Sequence, residues 1–234
     1  MFTHNVKFIS IEGNIGAGKS TLITRLQNYI DSVIAFYADR DENRSFQSRK
    51  IVFLKEPVEV WQSVTDDENA NILELFYKNP GEWSFAFQVM VFTSQQKMIE
   101  DTLKTHPECR LIICERSVEA GRNIFTQLLV DKGKINTVEN KIYSHLFESH
   151  KYPLYASIFL DISPEVCMSR IKTRAREGES NIDLSYLVNC DKYYRQWLIE
   201  KKELYSSPKN VYIIKDNELD SILPILVPLF QQIL

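Results

Sequence analysis

The sequence predicts an α/β fold: an open, parallel, five-stranded sheet with helices on both faces. Three observations lead there. Five short apolar runs rich in β-branched residues, Val6–Ile11, Ile51–Leu54, Leu111–Cys114, Ser157–Leu160 and Val211–Ile214, have the length and composition of buried strands. Between them lie segments whose apolar residues recur at helical spacing, so strand and helix alternate. The first run leads without a gap into Gly13-Asn14-Ile15-Gly16-Ala17-Gly18-Lys19-Ser20, which fits G-x-x-x-x-G-K-[ST]. No repeat, low-complexity tract or linker divides the chain, so residues 1–234 are expected to form one domain.

The loop after the first strand explains its own residues. Its glycines let backbone N–H groups converge on phosphate oxygens, and the following helix N-terminus adds positive partial charge. Lys19 then reaches the β- and γ-phosphates and the Ser20 hydroxyl holds Mg²⁺, so Gly13 to Thr21 are expected to bind a nucleoside triphosphate such as ATP. Leu22, Ile23 and Leu26 open the first helix, read as Lys19 to Tyr29. The stretch from Ala38 to Lys50 is almost wholly polar and reads as a solvated loop.

The second strand ends at Glu56-Pro57, where proline keeps the preceding residue extended and leaves the carboxylate at the strand's carboxyl end. In open α/β sheets that edge faces the ligand crevice. A short helix over Asn71–Tyr77 stops near Asn79-Pro80-Gly81, and Glu82–Thr105 has neither Gly nor Pro and reads as a long helix. The third strand delivers Glu115-Arg116-Ser117. Helices are expected over Val118–Leu129 and Val138–Glu148, from Pro164 through Arg170 towards Arg176, and over Asp183–Leu204. A closing helix over Leu219–Leu234 should be interrupted near Pro224 and Pro228.

Composition bounds the possible partners. A net charge of −3 gives no electrostatic footprint for polymeric nucleic acid or an anionic membrane. No apolar run reaches membrane-spanning length, and the N-terminus lacks the pattern of a signal or transit segment. Cys109, Cys114, Cys167 and Cys190 show no metal spacing, and Cys114 and Cys167 read as buried thiols suited to a reducing compartment. A cytoplasmic protein is expected. His4, His106, His145 and His150 lie away from the motifs and read as surface or loop residues.

Glu56, Glu115 and Asp161 all arrive at strand ends. Glu56 fits a general base that draws the proton from a hydroxyl attacking a γ-phosphate, although an acid in the first turn of a helix over Val58–Val64 would serve the dipole equally well. Glu115 is a candidate Mg²⁺ contact and Arg116 a guanidinium aimed at reacting oxygens. Arg170 and Arg174 share one helix face, with Arg176 at its end. Three close guanidiniums with few adjacent acids call for a polyanion, so residues 170–181 read as an Arg-rich lid that Gly178 allows to bend. On the long helix, Phe85, Gln88, Phe92 and Gln95 fall at spacing three-four-three, with Phe87 and Val91 alongside. Buried glutamines need partners, and the edge of a base supplies them.

These motifs, in their order from Lys7 to about Leu198, resemble the deoxyribonucleoside kinases of the thymidine kinase 2, deoxycytidine kinase and deoxyguanosine kinase group. The resemblance is carried by the Gly13–Ser20 loop, Glu56-Pro57-Val58-x-x-Trp61, Tyr77-x-x-Pro80-x-x-Trp83-x-x-x-x-Gln88 and Glu115-Arg116-Ser117. Arg170-x-x-x-Arg174-x-Arg176-x-x-Glu179, Leu184-x-Tyr186-Leu187 and Trp197-Leu198 extend it. It implies a P-loop kinase fold, Mg²⁺ with ATP or another NTP as donor, a deoxyribonucleoside acceptor and a homodimer. It makes Glu56 the base for the 5′-hydroxyl with Arg116 beside it and Lys19 on the phosphates. Tyr77 and Glu179 hold the 3′-hydroxyl, Gln88 pairs with the base, and Trp61, Leu73, Phe87 and Phe125 wall the nucleoside pocket. Arg170, Arg174 and Arg176 form the lid.

Two departures stand out. The family's His-Glu before the late Trp-Leu is Tyr194-Arg195 here, a change expected to touch helix packing rather than catalysis, and the connection at Ala38–Lys50 is longer than usual. Other readings are a nucleoside monophosphate kinase of thymidylate kinase type or a silent nucleotide-binding subunit. Val58 and Trp61 after Glu-Pro favour an uncharged acceptor over the first, and intact Lys19, Ser20, Glu56 and Arg116 count against the second. For the base, the deoxycytidine and deoxyguanosine kinases carry a bridging Arg and Asp where this chain has Gln95 and Gly121. The uncharged pair implies a pyrimidine preference with thymidine accepted.

Overall fold

The computed structural model describes residues 6–38, 50–176, 178–179, 181–200 and 208–233. Five strands, β1 (Lys7–Gly13), β2 (Ile51–Leu54), β3 (Leu111–Glu115), β4 (Ala156–Leu160) and β5 (Asn210–Ile214), form one sheet in the order β2-β3-β1-β4-β5. Every pairing is parallel. The helices are α1 (Lys19–Ala38), α2 (Val58–Gln62), α3 (Ile72–Lys78), α4 (Pro80–Thr105), α5 (Val118–Ala120), α6 (Gln127–Asp131), α7 (Thr137–Glu148), α8 (Pro164–Arg174), α9 (Leu184–Tyr194) and α10 (Leu219–Ile233). This is the α/β arrangement of helices around a five-stranded parallel sheet that the alternation of runs predicts.

Both sheet faces are dry, which is why the strands read as continuous apolar runs. Ile9, Ile11, Leu111, Ile113, Ile158 and Leu160 point to one face, where they meet Leu22 and Leu26 of α1, Ile171 of α8 and Leu226 of α10. Their neighbours Phe8, Ile112 and Cys114 point to the other, against Phe92 and Ile99 of α4 and Tyr143 of α7. The period of two along each strand therefore sorts the core into two halves. All four cysteines are free and buried, and burial pushes each thiol upwards, Cys109 and Cys167 to about 11 and Cys190 to about 12. Among the described residues no helix is long and apolar enough to cross a membrane.

Four helices differ from the sequence expectation. Helix α1 continues past Tyr29 to Ala38, because Ile30 extends its apolar stripe onto the core. Residues 39–49 of the long polar connection, His4, residues 201–204 of the expected Asp183–Leu204 helix and Leu234 lie outside the described residues. Helix α10 runs unbroken through Pro224 and Pro228. The two prolines sit four apart on its exposed side, so the carbonyls they leave without an N–H face water while Ile222, Leu226 and Leu229 anchor the other side. The expected Val118–Leu129 helix has a π-helical turn at Gly121–Thr126 between α5 and α6, and a second follows α9 at Arg195–Ile199. Such insertions re-aim side chains and concentrate at functional sites.

Candidate active site

The carboxyl ends of β1, β2 and β3 open into one cavity of about 730 Å³. Its floor is the Gly13–Ser20 loop, where Gly13, Gly16 and Gly18 take φ of 145°, 81° and 99°, values at which a side chain is strained. Gly16 also packs directly on α8: a Cβ there would stand 2.5 Å from the Cys167 carbonyl oxygen. Ile15, Gly16, Gly18, Lys19, Ser20 and Thr21 line the cavity. Gly13, Asn14 and Ala17 lie beneath it. Ala17 is fully buried, and the Asn14 side chain donates to the Leu187 carbonyl (2.8 Å), tying the loop to α9.

Lys19 Nζ donates to the carbonyls of Gly13 and Asn14 (3.2 and 3.0 Å). Burial, helped by the nearby Arg116 charge, pulls its ammonium down to about 8. The next residue, Ser20, donates its hydroxyl to Glu115 Oε1 at 2.6 Å. A hydroxyl and a carboxylate oxygen side by side beneath the loop are hard donors that fit Mg²⁺, which takes one or two protein oxygens and completes its shell with phosphate and water. Among the described residues no cluster of three or more His, Cys, Asp or Glu offers a caged metal site.

Glu56 and Arg116 meet because their strands are neighbours. Leu54 of β2 pairs with Cys114 of β3, so each residue sits two positions beyond the same rung. Arg116 Nε donates to Glu56 Oε1 at 2.6 Å, with the two side chains 5% and 15% exposed. Burial alone would raise the Glu56 carboxyl, but Arg116 and Lys19 outweigh it and hold the group below its ordinary value. Arg116 takes φ of 61°, the left-handed region, which swings its guanidinium across the crevice instead of letting it follow the strand's alternation. Its guanidinium carbon lies 4.4 Å from the centre of the Phe125 ring.

Beyond this pair the cavity becomes aromatic. Phe76 and Phe87 stack at 4.8 Å, Trp61 meets Phe87 edge-on at 5.8 Å, and Leu73 and Val91 fill the wall between. An Asn71 capping box starts α3 and sets the register that turns both Leu73 and Tyr77 into the cavity. Burial, with Glu179 close by, raises Tyr77 far above its usual range, so it stays a neutral hydroxyl. Gln88 and Gln95 are buried on the inward face of α4. Thr126 in the first π-helical turn donates to Gln88 Oε1 (3.5 Å). Gly121 begins that turn, where an added Cβ would come within 3.3 Å of the Tyr143 hydroxyl.

Arg170, Arg174, Arg176 and Glu179 complete the rim. Arg170 donates to the Ala17 carbonyl at 2.8 Å. Arg174 and Arg176 both pair with Glu179, so one acid offsets two of the guanidiniums. Gly178 (φ 87°) packs this segment on α3, within reach of Leu73 and Glu74.

Some expectations fail here. Asp161 faces away from the phosphate loop's chemistry, paired with Arg195, which also holds Asp191 at 2.7 Å. His150 lies in a loop, but its ring is buried between Gln96 and Glu119. The Tyr194-Arg195 departure reaches beyond packing: Tyr194 Oη accepts from Arg116 Nη1 at 2.9 Å. Sequence reasoning also passed over Glu12, fully buried at the end of β1, which accepts from the Ser117 N–H at 2.9 Å. Burial raises its carboxyl despite the bonds and the Arg116 charge that pull the other way. An acid closing an apolar strand just before the loop was the available signal.

The family model described as deoxynucleoside kinase matches residues 9–223. The chain belongs to the deoxynucleoside kinase family. It is 32% identical over 201 residues to a probable deoxycytidine kinase of fowlpox virus, covering 84% of this chain and 74% of that one. To human deoxycytidine kinase it is 30% identical over 218 residues (84% and 76%), and to the mitochondrial deoxyguanosine kinase of Xenopus laevis 29% over 232 residues (89% and 80%). The enzyme is therefore a phosphotransferase that phosphorylates deoxynucleosides with a nucleotide donor. A silent subunit and a monophosphate kinase are set aside by that membership.

Proposed function

We propose that this deoxynucleoside kinase transfers the γ-phosphoryl group of ATP to the 5′-hydroxyl of pyrimidine deoxyribonucleosides, thymidine among them. The observation that carries the reading is the Glu56–Arg116 pair at 2.6 Å, which stands where the phosphate loop gives way to the aromatic pocket. A carboxylate held ionised accepts the 5′-hydroxyl hydrogen bond and takes its proton as the new P–O bond forms and the bond to the β-phosphate oxygen breaks. Arg116 keeps the carboxylate aimed. Lys19, Arg170, Arg174 and Arg176 offset charge on the transferring group, the term that dominates phosphoryl transfer. Ser20 and Glu115 would hold Mg²⁺, which would supply positive charge to offset that of the phosphates. Tyr77 and Glu179 take the sugar 3′-hydroxyl, and Glu179 does so while paired with two lid arginines.

The base preference rests on Gln88 and its surroundings. Thr126 occupies one lone pair of Gln88 Oε1, leaving the other lone pair and the amide hydrogens for the N3 and C4 edge of a pyrimidine. Gln95 and Gly121 line the cavity and bring no charge to it, and glycine has no side chain to compete with a 5-methyl group. The four buried thiols suit a reducing compartment such as the cytoplasm. The chain is also read as a homodimer. A coupled ADP-release assay with thymidine, deoxycytidine, the purine deoxynucleosides and dTMP tests the substrate reading. Higher kcat/KM for deoxyguanosine than for thymidine overturns it.

A further inference from the structure

We infer that Tyr194 is a positioning residue for the phosphoryl-transfer step, fixing the guanidinium of Arg116 and through it the Glu56 carboxylate. The guanidinium is held at three points: Nε on Glu56 (2.6 Å), Nη1 on the Tyr194 hydroxyl (2.9 Å) and its face over Phe125 (4.4 Å). Two in-plane bonds in different directions and one stacking contact leave a planar group no rotation that keeps all three. The Arg116 backbone lies in the left-handed region, disfavoured for an L-residue, and is held there by its own N–H on the Ile11 carbonyl (3.0 Å) and the Ser117 N–H on Glu12 (2.9 Å).

Tyr194 itself is rigid. Its ring is fully buried, stacked on Phe159 at 5.5 Å and 22° and edge-on to Phe125 at 6.5 Å. It is the last residue of α9. The π-helical turn that follows rotates Trp197 and Leu198 into the same cluster, so the tyrosine cannot shift along the helix without unseating both. The neighbouring Arg195 ties the helix to Asp161 and also pairs with Asp191 within α9. The two residues that depart from the family pattern thus work as a unit. Arg195 fixes the helix to the end of β4, and Tyr194 presents one oxygen to Arg116.

This inference rests on Glu56 and Arg116 acting at the reacting atoms, and its test separates the two. Tyr194→Phe removes the oxygen and keeps both ring contacts. Its kcat should fall about ten- to hundredfold, the scale of a misplaced catalytic group, while KM for the deoxynucleoside stays within about twofold. In an Arg116→Ala background the same change should cost nothing further. Independently of turnover, protein labelled with ¹⁵N-arginine should show slowly exchanging Arg116 Nη–H signals, assigned by their loss in Arg116→Lys, that broaden out in Tyr194→Phe. Unchanged kcat, equal losses in both backgrounds, or retained Arg116 signals each overturn the proposal. If the wild-type enzyme phosphorylated no deoxynucleoside, the function reading would fall, and the guanidinium signals alone would decide on Tyr194.

Discussion

Replacing Glu56 with Gln isolates the chemistry, because it removes a charge and a proton acceptor while keeping the side chain's shape. Arg116 Nε now sits 2.6 Å from a carboxylate oxygen; in the variant an amide oxygen can still accept that bond, but the guanidinium loses its counter-charge. Removing one member of a buried ion pair costs about 3–5 kcal/mol. Here an acceptor remains, Tyr194 still holds Nη1, and the Glu56 side is 15% exposed to the cavity. About 1.5–3 kcal/mol is therefore the expected loss, the range for a hydrogen bond to a charged group, or roughly 3–12 °C in Tm for a chain of this size. Turnover should drop about 10²–10⁴-fold, the contribution typical of a positioned general base. Thymidine affinity should stay within about threefold, because Tyr77, Gln88 and Glu179 are untouched. ADP release at saturating substrates, Trp61 fluorescence titration with thymidine and a thermal melt measure the three quantities. Turnover near the wild-type rate would refute Glu56 as the base. Equal losses in turnover and affinity would make it a binding residue only.

Arg174→Ala should lower kcat about 10²–10³-fold with little change in nucleoside affinity, because its charge acts on the transferring group; weaker nucleoside binding at unchanged kcat contradicts that assignment. Gln95→Arg combined with Gly121→Asp should depress kcat/KM for thymidine by about 1–3 kcal/mol and that for deoxycytidine less. An aspartate at 121 must first displace the Tyr143 hydroxyl, 3.3 Å from its Cβ, and equal losses for both substrates count against the methyl-space argument. Because Arg116 and Lys19 hold the Glu56 carboxyl down against burial, the group stabilises the fold above its unfolded pKa of about 4.3, and that contribution is lost as pH falls through the lower folded value. Titration of ¹³C-carboxyl-labelled glutamate should place the Glu56 midpoint below its ordinary value, and a midpoint above that value contradicts the geometry.

Local features that carry their own sequence signature were legible. The five strands, the phosphate loop and the delivery of Glu56 and Arg116 to neighbouring strand ends follow from apolar runs and from what Gly and Pro do to a backbone. Features decided by distant packing were not. Nothing near Pro224 or Pro228 announces that their orphaned carbonyls face water, and nothing near Gly121 announces a π-helical turn. Asp161 looked like Glu56 until its partner Arg195, 34 residues on, claimed it. Glu179 stood only three residues from Arg176, yet its pairing with both Arg174 and Arg176 needs the left-handed Gly178 turn to bring it back. The Tyr194 contact joins positions 78 apart, beyond any pattern of spacing.

The strand order has a kinetic corollary. The phosphate loop hangs from β1, which is laddered on both sides, whereas Glu56 hangs from β2, a four-residue edge strand that among the described residues is bonded to β3 alone. Amide exchange should accordingly report two tiers within one cavity, with β1 opening only near the global limit and β2 through smaller excursions. A ligand that bears on Glu56 then restrains the weaker tier most, so protection of β2 amides, more than any rise in global stability, marks occupation of the nucleoside half of the site.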